Sequence, residues 1–176
     1  VSSYVALLYS IVLPEGRLKM DDLKDIALGL GLGDPRTLVA TGNLVFTAPM
    51  TTIARLETQL EAALEARFGK HIDIIVRTAA DWQRTVRANP FGSDDPKSVA
   101  VRVQRDPLDP SILDELSRFA VQGERLRVVD GDLWIRFPGK ASDSKIAGAL
   151  TRKRLGIGTT RALSTVIGLG KMLEAV

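Results

Sequence analysis

Apolar residues fall into short runs and into helical spacings that alternate along the chain. Tyr4-Val5-Ala6-Leu7-Leu8-Tyr9 is a short apolar and aromatic run, the signature of a buried strand. Residues 11–19 contain Pro14 and Gly16 and read as a connector. Met20, Leu23, Ile26, Ala27 and Leu30 then recur at helical spacing. Asp21 and Asp22 stand in that helix's first turn, where carboxylates suit the positive end of the dipole. Gly31-Leu32-Gly33-Asp34-Pro35 reads as its end. Residues 37–40 and 44–46 are expected as strands around the turn signal Thr41-Gly42-Asn43. Ile53, Leu56, Leu60, Leu64 and Phe68 mark a long amphipathic helix closed by Gly69, and residues 72–76 form the next strand. The order is β-α-β-β-α-β, the split βαβ or ferredoxin-like pattern.

Thr78-Ala79-Ala80-Asp81 resembles a capping box and starts a helix carrying Trp82 and Val86. Residues 89–97, with Pro90, Gly92 and Pro96, are the boundary. Residues 98–103 alternate as a strand. Asp109-Pro110 reads as an N-cap followed by Pro at the first helical position. Ile112, Leu113, Leu116 and Phe119 form a helical face. Residues 126–129 and 133–137 flank Asp130-Gly131, a hairpin signal. Residues 143–150 are expected as a short helix, then a basic turn, then a terminal helix over 165–173. The expected architecture is α+β: a ferredoxin-like unit over 1–77, a helix and connector over 78–97, and a second, smaller α/β unit over 98–176.

Composition narrows the chemistry. The 176 residues are 45% hydrophobic and 26% charged, which is ordinary globular usage and argues against disorder of the whole chain. There is no cysteine and one histidine, so disulfides, thiolate metal sites and cysteine nucleophiles are excluded. His-relayed nucleophile schemes lose their parts too. No run of about 18 apolar residues exists, so no membrane span is expected. The N-terminal residues lack a basic region ahead of the apolar run; no signal peptide is read, and a cytoplasmic protein is expected.

Charge is uneven. Residues 133–176 hold eight Lys/Arg against two acids, a net of +6, while the rest of the chain has a net of −3. A local positive field attracts anions. Its centre is Thr151-Arg152-Lys153-Arg154-Leu155-Gly156-Ile157-Gly158-Thr159-Thr160-Arg161. Glycines let backbone N–H groups approach an anion, hydroxyls add donors, and arginine binds phosphate bidentately. The alternative is a solvated helix end. The segment is not a Walker A loop, and Gly29-Leu30-Gly31-Leu32-Gly33 misses the dinucleotide fingerprint and closes a helix. Trp134, on the hairpin beside the basic segment, offers a stacking surface or core packing. Asn43 supplies an amide or simply a turn. His71, with no second histidine, reads as structural rather than metal-binding. Asp94/Asp95 and Asp114/Glu115 read as solvated acids.

The chain resembles the DUF1697 family over nearly its full length. The resemblance rests on Tyr4-Val5-Ala6-Leu7-Leu8, Lys19-Met20-Asp21-Asp22-Leu23, Thr41-Gly42-Asn43-Leu44-Val45-Phe46, Val76-Arg77-Thr78-Ala79, Ala88-Asn89-Pro90-Phe91, Ser144-Lys145-Ile146 and Thr159-Thr160-Arg161. It implies an α+β fold of two subdomains and no established activity, cofactor or catalytic set. Members usually carry an Arg-Gly-Ile-Asn-Val-Gly-Gly-like stretch after the first strand, where this chain has Tyr9-Ser10-Ile11-Val12-Leu13-Pro14-Glu15. Members also tend to continue Thr-Arg-Asn-Trp-Asn-Thr, where this chain has Thr160-Arg161-Ala162-Leu163-Ser164-Thr165.

Three function classes follow. The first is non-catalytic binding of nucleic acid or a small phosphorylated ligand through Lys145, Arg152, Lys153, Arg154 and Arg161, with Trp134 stacking. The second is an enzyme on a small phosphorylated or carboxylated molecule, positioned by Asn43, Lys145 and Arg161 in a cleft between the subdomains. The third is a protein-interaction or dimerisation module. No catalytic residue, cofactor, metal or oligomeric state is assigned.

Overall fold

The computed structural model describes every residue except Ser93, Ala175 and Val176. The fold is α+β. The chain groups into two units: Val1–Val86 with the end of the chain from Ile167, and Arg87–Val166.

In the first unit, β1 (Ser2–Leu8) is followed by a small hairpin of β2 (Val12–Leu13) and β3 (Gly16–Arg17). The expected connector thus carries its own pairing, Val12 with Arg17 and Leu13 with Gly16. Then come α1 (Met20–Gly29), β4 (Gly33–Thr37), β5 (Asn43–Ala48), α2 (Ile53–Phe68), β6 (Ile74–Thr78) and α3 (Ala79–Arg87). The sheet order is β4-β5-β1-β6, with every neighbouring pair antiparallel. Tyr4, Ala6, Leu8, Leu44 and Phe46 pack with Leu23 and Ile26 of α1 and Leu56, Leu60 and Leu64 of α2. The period-two face of the strands meets the period-four stripe of the helices. Val5, Leu7, Val45 and Ile75 are buried too, so the strands read as continuous apolar runs.

One strand lies earlier than the spacing predicts. β4 begins at Gly33, inside the stretch read as a helix end, and stops at Thr37. Pro35 misleads the pattern: proline is tolerated here because β4 is an edge strand, whose outward N–H needs no ladder partner. Elsewhere the local signals act as expected. Thr52 Oγ1 accepts the Arg55 N–H at 3.2 Å and caps α2; Thr78 Oγ1 accepts the Asp81 N–H at 3.1 Å and caps α3.

The second unit contains β7 (Val99–Gln104), α4 (Ile112–Leu116), β8 (Arg125–Val129), β9 (Asp132–Arg136), the single turn α5 (Arg152–Leu155) and β10 (Gly158–Ala162). Its sheet order is β10-β7-β9-β8, again antiparallel. Asp130 (φ 51°) and Gly131 (φ 84°) make the left-handed turn between β8 and β9 that the Asp-Gly pair demands. Asp109 Oδ1 accepts the Ser111 N–H at 2.9 Å just ahead of α4. Two expectations are corrected. Residues 143–150 are two short 3-10 turns, Ala141–Asp143 and Lys145–Ala149, and Thr159-Thr160-Arg161 lies in strand β10 rather than a loop. Gly148 lowers helix propensity in the first, and pairing with β7 organises the second.

Helix α6 (Leu163–Glu174) is the last described element. Its later part belongs with the first unit: Gln83 Nε2 donates to the Gly170 carbonyl at 2.8 Å, and Arg36 Nη2 to the Met172 carbonyl at 3.2 Å. Among the described residues, no helix is long and apolar enough to cross a membrane.

Candidate functional site

The basic segment is fastened to the second sheet by a buried polar network. Arg102 and Gln104 lie on β7 and are 2% and 3% exposed. Arg102 Nε donates to Gln104 Oε1 at 2.7 Å. Its Nη1 and Nη2 donate to the carbonyls of Leu150 (3.4 Å) and Gly156 (3.1 Å). Gln104 Nε2 donates to the Leu155 carbonyl at 2.6 Å, and its N–H to Asp132 Oδ1 at 2.9 Å. Buried polar groups are costly unless paired, so these bonds hold the backbone on either side of α5 in one position. Gly158 belongs to the same network. A Cβ there would lie 2.4 Å from Gln104 Oε1 and 2.9 Å from the Val103 carbonyl oxygen. The glycine read as a phosphate-approach position therefore makes room for Gln104.

The cations of the segment have different fates. Lys145, Arg152 and Lys153 are exposed. Arg154 acts as a strut: Nε pairs with Glu115 at 2.8 Å, Nη1 donates to the Ala149 carbonyl at 3.1 Å, and the guanidinium lies 4.6 Å from the Phe119 ring centre. Arg161 is buried; its Nη1 donates to Thr159 Oγ1 at 2.8 Å and to the Thr160 carbonyl at 3.0 Å. Burial pushes its pKa down to about 10, so it stays charged at neutral pH.

Trp134 is fully buried, so its ring offers no face to a base. Its indole N–H has no hydrogen-bond partner among the described residues. Asn43 lies in the first unit and is fully buried; its Nδ2 donates to the Leu38 carbonyl (2.9 Å) and Thr41 Oγ1 (2.8 Å). Both amide hydrogens thus brace the turn, beside Val39 at a φ of 49°, a rare conformation for a β-branched residue. The acids read as solvated are partly engaged: Asp94 pairs with Arg125 (2.8 Å) and Arg136 (3.3 Å).

Arg102 escapes a reading by charge runs, because it stands alone in an apolar strand. That isolation is the signal: a lone cation in Val99-Ala100-Val101-Arg102-Val103 must find buried partners. Two further features emerge in the first unit. A cavity of about 240 Å³ is lined by Leu13, Glu15, Arg17, Lys19, Asp22 and Arg67, among others. Arg67 pairs with Asp22 at 3.1 Å there, whereas Arg17 and Lys19 form no ion pair among the described residues. The second is His71, whose Nε2 lies 3.0 Å from Asp73 Oδ1 and 3.9 Å from Glu61 Oε2. The Asp73 hydrogen bond raises the His71 pKa; partial burial opposes this, and the charges of Glu61, Asp73 and Glu65 add to it. Glu57-x-x-x-Glu61-x-x-x-Glu65 on one helix face, leading to His71-x-Asp73, is the sequence signal for this cluster.

The family model described as "Protein of unknown function (DUF1697)" matches residues 1–134. The chain belongs to the DUF1697 family. No curated protein matches it. A solved structure of a conserved bacterial protein from Streptococcus pneumoniae is similar, with a TM-score of 0.74 and 21% identity over 98% of each chain. At that identity the likeness carries the fold alone: the α+β fold of this DUF1697 member recurs with most of its side chains changed.

Proposed function

We propose that the second unit binds a phosphate-bearing polyanion, nucleic acid being the natural case, through exposed Lys145, Arg152 and Lys153. The observation that carries this reading is the clamp on the segment. Arg102 and Gln104 hold the carbonyls of Leu150, Leu155 and Gly156, while Arg154 braces the turn against Glu115 and Phe119. Arg152 and Lys153 therefore stand on a held backbone, which lowers the backbone entropy lost when an anion binds. Arg161 and Trp134 support the sheet in this reading, and Asn43 supports its turn. The strand order of the first unit supports its role as a ferredoxin-like platform.

The test is fluorescence anisotropy with labelled single- and double-stranded oligonucleotides at about 50 and 200 mM salt, a range over which phosphate contacts weaken steeply. Binding should fall with salt and should fall again in the Lys145→Ala/Arg152→Ala/Lys153→Ala variant. Binding insensitive to both would overturn the proposal, and so would none at the lower salt.

A second reading rests on the cavity of about 240 Å³ in the first unit. Arg17 and Lys19 there suit a small carboxylated or phosphorylated ligand, with Phe68 in the lining supplying apolar surface. A thermal-shift panel of such anions, repeated on Arg17→Ala/Lys19→Ala, separates it from the first.

A further inference from the structure

We propose that Glu61, His71 and Asp73 form a binding site for a divalent first-row cation of the zinc type. One ligand atom from each of Glu61, His71 and Asp73 lies within 4.8 Å of the others. A cation about 2.0–2.2 Å from each ligand sets ligand atoms roughly 3–3.6 Å apart, so side-chain adjustments of about an ångström close the site. The observed separations from His71 Nε2 are 3.0 Å to Asp73 Oδ1 and 3.9 Å to Glu61 Oε2, on either side of that spacing.

Nε2 of His71 faces the two ligand carboxylates and is within hydrogen-bond distance of Asp73 Oδ1 at 3.0 Å, while Nδ1 lies 3.6 Å from Glu65 Oε2, too far for a hydrogen bond. Both ligand carboxylates are well shielded, with side-chain exposures of 13% for Glu61 and 11% for Asp73. Glu61 is further held by the Ile74 N–H, which donates to its Oε2 at 3.0 Å. Glu61, Glu65 and Asp73 place three carboxylates within 4 Å of the imidazole, an excess of oxygen acceptors that suits a cation. His71 is half-exposed, which leaves a solvent side for water to complete the coordination.

The composition makes the test clean. The chain has one histidine and no cysteine, so any imidazole signature of a bound metal belongs to His71. The chelator-treated full chain is titrated with Zn²⁺ by calorimetry and with Co²⁺ by visible absorption. The expected result is one ion per chain, with binding weakened by at least the roughly 10–100-fold typical of losing an outer-shell partner in His71→Ala, Asp73→Asn and Glu61→Gln. Asp114→Asn, an exposed acid on α4, should bind as wild type. Nitrogen-15 imidazole resonances of the wild-type chain give a second readout that needs no variant: Zn²⁺ should shift Nε2 and leave Nδ1 protonated. Absence of stoichiometric binding, unchanged affinity in His71→Ala, or unmoved imidazole resonances would each overturn the proposal.

Discussion

Glu57 and Val76 are joined by a buried hydrogen bond in which the Val76 N–H donates to Glu57 Oε2 at 3.0 Å. One turn along α2, Glu61 accepts the Ile74 N–H at the same distance. β6 is an edge of the first sheet, and an open edge is a template for pairing with another chain. Here helix side chains satisfy the outward N–H groups. Glu57→Ala leaves the Val76 N–H buried without that acceptor and should cost about 1–3 kcal/mol. Urea unfolding measures the loss, and light scattering should show a rise in self-association; an unchanged midpoint would refute the role.

Arg102 should matter to the basic segment more than any cation within it. Arg102→Met removes the donors to the Leu150 and Gly156 carbonyls and to Gln104 Oε1. Stability should drop by about 2–4 kcal/mol, since buried acceptors lose charged donors. Amide hydrogen exchange should rise first over residues 150–158. Lys153→Ala, by contrast, should leave both stability and exchange close to wild type, as surface substitutions usually do.

The turn at Asp130-Gly131 tolerates no side chain at its second position. Gly131 has a φ of 84°, and a Cβ there would lie 2.5 Å from Pro107 Cβ and 2.6 Å from Pro107 Cα. Gly131→Ala therefore combines a left-handed conformation with overpacking against backbone, at about 2–4 kcal/mol together. Gly139→Ala, with nothing within 4 Å, is the matched control. Equal thermal midpoints for the two variants would contradict this account.

Glu124 predicts an acid-side dependence of stability. Burial works against its charged form. Hydrogen bonds from its own backbone N–H, from Ser144 and from the Gln122 N–H outweigh that and hold its carboxyl below the usual range. A depressed carboxylate pKa contributes stability above the unfolded-state value, and that contribution disappears as pH falls through the lower folded-state value. Denaturant midpoints should therefore fall more between about pH 5 and 3 in wild type than in Glu124→Gln. Parallel curves would show that Glu124 carries no such linkage.

Much of the fold is legible from the chain because its signals are local. The helices over Met20–Gly29 and Ile53–Phe68 follow from apolar residues at helical spacing, and the β8–β9 hairpin from Asp130-Gly131. β4 and β10 are not legible in the same way. Gly33–Thr37 contains Gly and Pro, and Gly158–Ala162 is polar, so neither carries a strand pattern. Each is a strand because a neighbour supplies the ladder: β5 for the first and β7 for the second. Lys145–Ala149 likewise reads as helix but settles into a 3-10 turn capped by Ser144.

The candidate site divides along the same line. Sequence alone determines that the basic charge is concentrated near the C-terminus, that thiol chemistry is absent, and that a single imidazole is available. Those are properties of composition and order, which folding does not change. Only the tertiary structure decides which cations face solvent. Arg161 and Arg154 look equivalent to Lys153 along the chain, yet one is buried beside Thr159 and the other braced on Phe119. It also brings His71 to Glu61 and Glu65, because the turn after α2 folds β6 back along the helix. Burial and pairing depend on residues brought together from distant positions, and no local pattern contains that information.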